Sequence, residues 1–230
     1  MKILKIQALR GPNIWSIRRQ KLIQMRLDLE ELEERPTDKI DGFRERLENL
    51  LPTLIEHRCS EGCRGGFFQR VDRGTWMGHV IEHIALEIQT LAGMDVGFGR
   101  TRETKTPGVY NVVFNYLEEK VGIYAAKAAV KIAEALIAGE EYDLTDDIQN
   151  MKEIREDVRL GPSTASIVDE AVSRDIPFLR LGRNSLIQLG AGVNQMRFQA
   201  TITCKTSNIA VDIACNKEQT KKCWTMLLFL

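Results

Sequence analysis

Apolar and polar residues alternate through KILKIQAL (2–9), and the stretch is rich in strand-forming residues. It predicts a β-strand, closed by the turn signal Gly11-Pro12-Asn13. Leucine and isoleucine then recur at helical spacing among charges over 18–34 and again over 39–57, which predicts two amphipathic helices separated by Pro36. CSEGCRGG (59–66) reads as a glycine-rich loop, and Thr75 stands where it would cap the helix that follows. GVYNVVFNY (108–116) predicts a second strand, and 119–138 an alanine-rich helix. Together these elements predict an α+β fold for 1–140, a mixed sheet with helices packed on it.

Beyond residue 140 the pattern changes. The polar run EEYDLTDDIQNMKEIRED predicts a linker and a solvated helix within 141–160. GPSTASIVDEAVSRDIPFLRLG (161–182) reads as loop, helix and strand, the start of a second α/β unit. Gly190-Ala191-Gly192 is a turn between two strands, too short for a phosphate loop.

Composition narrows the function classes. The 230 residues suffice for a real core and suggest about one to two domains. Lys+Arg 32 balances Asp+Glu 32, so no global field favours nucleic acid or an anionic membrane. No run reaches the length of a membrane span, and no basic start leads into an apolar signal core. Five cysteines, an odd number without a disulfide-like framework, read as reduced and the chain as cytoplasmic.

GTWMGHVIEHIALEIQ (74–89) carries the candidate chemistry. On a helix His79 and His83 project side by side from one face and are placed to share a zinc ion. Glu82 sits beside them as the candidate catalytic base, close enough to take a proton from a zinc-activated water. His-x-x-Glu-His is the inverse of the common metalloprotease order and a known zinc-hydrolase arrangement. A helix with merely packed histidines produces the same five-residue pattern. Cys59, Cys63, His79 and His83 also fall within Cys2His2 spacing, with Phe67 where a finger places its aromatic. Arg73 stands where a finger needs a core leucine, and no basic surface accompanies it.

A catalytic zinc needs a third protein ligand. Glu87 lies about 12 Å along the axis from His79, too far to share the ion, but placed to orient His83 from behind. Glu118 and Glu119 stand at a strand–helix junction, and His57 and Cys59 are further candidates. Glu119 is the ligand the sequence favours.

Longer motifs carry a family resemblance. EHRCSEGCRGGFFQRVDRGTWMGHVIEHIALEIQTLAGMDVGFGRTRET (56–104), LRGPNIWS (9–16) and GIYAAKAAVKIAEAL (122–136) resemble the amino-terminal domain of cyanophycin synthetases. The 161–182 stretch and QATITCKTSNIAVDIACNKEQTK (199–221) resemble the start of their ATP-grasp domain. The resemblance implies an incomplete α/β ATP-grasp segment over 161–222 and a non-matching tail over 223–230. It also leads us to expect a truncated or frameshifted chain, inactive as a ligase on its own.

Full cyanophycin synthetases use ATP and magnesium to add aspartate and arginine to a poly-aspartate polymer with arginine side chains. They are oligomers, which points to a homo-oligomer, though this chain's own contacts stay open. The amino-terminal domain holds the polymer, and in some members its zinc site cuts it to make primers. For this chain the resemblance thus implies polymer binding, with zinc-dependent hydrolysis as the alternative. Arg64, Arg70, Arg73, Arg100 and Arg102 are candidate contacts for polymer carboxylates. Ser166, at a loop-to-helix start, and Glu218 are candidate substrate contacts in the ATP-grasp part.

Overall fold

The computed structural model describes every residue except Arg19, Arg183 and residues 228–230. It divides into two compact units, Met1–Asp157 and Val158–Leu230. Three tail residues of the apolar C-terminal run therefore lie outside the described residues, while Trp224 and Met226 of the same run are exposed.

In the first unit, strands β1 (Lys2–Leu9), β2 (Leu22–Asp28), β3 (Gly99–Glu103) and β4 (Val109–Asn115) form one sheet in the order β1-β2-β4-β3. Every pairing is antiparallel, where the sequence predicted a mixed sheet. The reason is β2, which inserts between β1 and β4. β3 and β4 are joined by a short hairpin, a connection that forces antiparallel pairing.

β2 falls where the sequence predicted a helix over 18–34. Ile23, Met25 and Leu27 are fully buried on one face, while Gln24 and Arg26 point to the other. Leu22, Met25 and Leu29 also satisfy helical spacing, so the short run fits both periods. Pairing on both sides, with β1 and β4, settles it as a strand. The second predicted helix is shorter than 39–57. Helix α1 covers Phe43–Leu50, and Pro52 then opens a 3-10 turn, Pro52–Glu56, because its ring cannot continue the α-helix.

Helices α3 (Met77–Leu91) and α4 (Glu119–Ala138) pack on the sheet, and α2 (Gly66–Asp72) packs against α1 and the 52–61 turns. α3 turns Val80, Ile81, Ile84, Ala85 and Ile88 into the core, all fully buried. Each isoleucine so buried stabilises the fold by about 1.5–3 kcal/mol. α4 comes so close to the sheet at Gly122 that an added Cβ would lie 2.8 Å from Ile23 and from Tyr116. Helix α5 (Thr145–Val158) is not simply solvated: Met151 is fully buried, and Tyr142, Leu144, Ile148 and Ile154 pack on the same core.

The second unit begins with α6 (Pro162–Ser173) and continues into β5 (Phe178–Arg180), β6 (Leu186–Leu189), β7 (Met196–Gln199) and β8 (Ile202–Thr203). These strands form an antiparallel meander, followed by α7 (Asn208–Cys215) and α8 (Lys217–Leu227). The expected helix, strand and Gly-Ala-Gly turn are present, but no parallel α/β pairing occurs among the described residues. Its core is small, built on Val168, Ile187 and Phe198. Among the described residues no helix is long and apolar enough to cross a membrane.

Candidate metal centre

α3 carries its polar residues on the edge that faces β3 and the 52–61 segment. His79 and His83 share that edge, with ring centroids 4.8 Å apart. Cys59 joins them, and one ligand atom from each of the three lies within 4.8 Å of the others. A tetrahedral zinc with its usual N and S bond lengths holds ligand atoms about 3.3–3.6 Å apart, so small side-chain rotations close this group on an ion. The Cys59 sulfur is already 3.2 Å from His79 Nε2. Cys59 has φ 52°, in the left-handed region. A non-glycine residue there costs on the order of 1–2 kcal/mol, the kind of strain that gathers at functional sites.

The candidate ligand set is supported from behind. Thr75 Oγ1 lies 3.1 Å from His79 Nδ1, which leaves Nε2 to face the cysteine. Thr75 is thus not the cap of α3; Trp76 occupies that position without a side-chain bond. Phe67, fully buried, stacks on His83 with ring centroids 4.2 Å apart. Burial, reinforced by the Arg70 charge, lowers His79 to about 4. Burial, with the neighbouring His79 and His57, holds His83 well below the ordinary histidine value. Both imidazoles are therefore neutral at pH 7, the state a metal requires.

Glu82 is 5 % exposed, and burial pushes its carboxyl up to about 7, against the opposing hydrogen bond from Thr101 and the charges of Arg70 and Arg102. Thr101 donates to Oε2 at 2.6 Å. Oε1 lies over Gly99, where an added Cβ would sit 2.2 Å away. The strand needs glycine there to make room for the carboxylate.

These residues line a cavity of about 1010 Å³. Arg58, Arg70, Arg100 and Arg102 border it together with Glu56 and Glu87. Of the sequence-predicted contacts, Arg70, Arg100 and Arg102 are brought to the cavity. Arg64 is instead paired with Glu56 at 2.8 Å, and Arg73 with Glu61.

The structure does not bring Glu119 to the histidines. Arg10 holds its carboxylate through two bonds of 2.6 and 2.7 Å, and Tyr116 OH lies 3.4 Å from it. The sheet order explains this. Arg10 follows β1 at one edge, while Glu82 meets β3 at the other, about 14 Å away across three strand spacings. Cys59, a further candidate in the sequence, stands with the histidines where Glu119 was expected. Cys63, which a Cys2His2 site needs, is exposed and lies outside the group.

His57 and Glu87 complete the surroundings. His57 Nδ1 is 2.8 Å from His83 Nδ1, and its Nε2 is 2.7 Å from Glu87 Oε2. Nothing local in the sequence links these positions, although Glu87 stands one turn beyond His83. In the second unit, Ser166 Oγ donates to the Pro162 carbonyl within α6, and Glu218 opens α8.

Comparison with known proteins places the chain in a family. The family model described as the cyanophycin synthase-like N-terminal domain matches residues 24–138, which include every residue of the cluster. The cyanophycin synthetase of Geminocystis herdmanii is 55% identical over 224 residues, covering 96% of this chain and 26% of the relative. That of Trichormus variabilis is 56% identical over 225 residues, covering 96% of the chain and 25% of the relative. That of Synechocystis sp. is 53% identical over 224 residues, with 96% and 26% covered. The chain thus spans about a quarter of the length of the curated relatives it matches. On the family match, the chain belongs to the cyanophycin synthase-like N-terminal domain family.

Proposed function

We propose that the first unit binds cyanophycin in its cavity and hydrolyses the polymer with zinc held by Cys59, His79 and His83. The observation that carries this reading is the convergence of those three donors with a buried carboxylate, Glu82, at a roomy cleft. The donor set fits: one thiolate and two neutral imidazoles leave a fourth position for water or substrate. Zinc bound there supplies Lewis-acid polarisation of the scissile carbonyl and activation of a water.

The chain's own residues do the rest. Glu82 takes a proton from the attacking water and returns it to the leaving amide nitrogen, so that one amide bond and one water become a carboxyl and an amine. Burial disfavours the charged carboxylate and so strengthens Glu82 as a base. Arg70, Arg100 and Arg102 hold polymer carboxylates, and Glu56 receives an arginine side chain in exchange for the exposed Arg64.

The mixed-sign lining of the cavity favours a second reading, binding without cleavage, because such recognition needs no metal. The two readings separate by metal content and chelation. Hydrolysis requires about one zinc per chain, and a chelator must stop the shortening of cyanophycin. A zinc-free chain that still binds the polymer and never shortens it selects the binding reading.

A further inference from the structure

Glu87 is 3 % exposed, yet it takes no part in the chemistry above. A buried carboxylate is kept ionised only by strong partners. Burial pushes it up, but the hydrogen bonds of His57 and Thr53 outweigh this and hold it below the usual carboxylate range. Thr53 Oγ1 donates to Oε1, and His57 Nε2 lies 2.7 Å from Oε2. From the other side of the same ring, His57 Nδ1 meets His83 Nδ1 at 2.8 Å.

The carboxylate at the end of this chain fixes its first proton. An ionised carboxylate only accepts, so His57 carries its proton on Nε2. With a single proton on its ring, His57 offers a lone pair at Nδ1, and among the described residues the group that meets it is His83 Nδ1, which then donates. A neutral His83 with its proton on Nδ1 has a bare lone pair at Nε2. We propose that Glu87 and His57 are positioning residues that fix His83 as the Nδ1–H tautomer and so hold its Nε2 ready for a metal. This rests on the reading of His83 as a zinc ligand, and it extends the carboxylate–histidine–metal arrangement by one imidazole. Phe67 stacked on the His83 ring fixes the plane in which the hydrogen bond forms. The competing arrangement places protons on both nitrogens of His57. His83 would then accept at Nδ1 and carry its own proton on Nε2, closed to metal.

The test has one readout that needs no metal. Long-range imidazole ¹⁵N–¹H correlation spectra of the chelated full chain at pH 7 are expected to show His83 protonated on Nδ1 and His57 on Nε2. A His83 protonated on Nε2 overturns the proposal. Zinc affinity, measured by competition with a chromophoric chelator, is expected to fall about 10- to 100-fold in His57→Phe. His57→Gln, which restores a carbonyl acceptor, is expected to recover part of that loss, with both variants checked for folding by thermal melting. Cobalt(II) bound to His57→Gln is expected to keep the wild-type ligand-field bands, because His57 donates nothing to the metal. Unchanged affinity in a folded His57→Phe, or altered cobalt bands, also overturns the proposal. A wild-type chain with the expected tautomers that binds no zinc would instead sink the hydrolase reading and leave the tautomer assignment standing.

Discussion

Glu82 is buried at a cost to stability. Its folded-state carboxyl is raised from 4.5 to about 7, so the folded protein prefers the protonated form. The associated stability is fully present below about pH 4.5 and is lost as pH rises through 7. A shift of that size corresponds to about 3 kcal/mol at most. In chelated protein, Glu82→Gln is therefore expected to raise the free energy of unfolding at pH 8 by up to about 3 kcal/mol, and to change it little at pH 4.5. Urea denaturation at the two pH values checks this; equal stabilities at pH 8 would contradict it. That His79 and His83 share one edge of α3 was legible, because helical spacing is local. Cys59 stands twenty positions before His79 and reaches it through a left-handed turn. Spacing along the chain offers Cys59 as one candidate among several, and only the fold brings it rather than the others to the histidines. Glu119 was attractive by its strand–helix junction, and only the strand order places it at the far edge of the sheet.

At the scale of elements, long periodic segments were readable and short ones were not. β1, β4 and α4 follow their patterns closely, because each pattern repeats over enough residues to select one period. β2 satisfies both periods, and its neighbours decide. β3, whose sequence is Gly-Arg-Thr-Arg-Glu, has little apolar alternation; pairing with β4 makes it a strand. Gly122 tests the packing of α4 on this sheet. Glycine to alanine in an exposed helix gains about 1 kcal/mol, whereas overpacking a closed contact costs about 1–3 kcal/mol. With Ile23 and Tyr116 at 2.8 Å from the added Cβ, the contact decides. Gly122→Ala is expected to lower stability by about 1–2 kcal/mol in urea unfolding. A stabilised variant would mean that α4 stands off the sheet.

Over the whole molecule, the core and the cavity of the first unit are built from its own residues. Residues 1–157 made alone are expected to fold cooperatively and to bind the same amount of zinc as the full chain. Circular dichroism melting and metal analysis check this, and a molten or zinc-free fragment would contradict it. α5 must be included, since Met151 is buried in that core. The central claim concerns catalysis by the cluster, and it meets its most direct test in the rate at which cyanophycin shortens. Zinc-loaded wild type and zinc-loaded Glu82→Gln are to be compared on the same polymer, with chain length followed over time. Slow shortening by the wild type is expected, with a rate lower by about a hundredfold or more in Glu82→Gln at equal zinc content. Folded, zinc-loaded wild type that leaves the polymer intact, or a Glu82→Gln variant that cuts as fast, would contradict it.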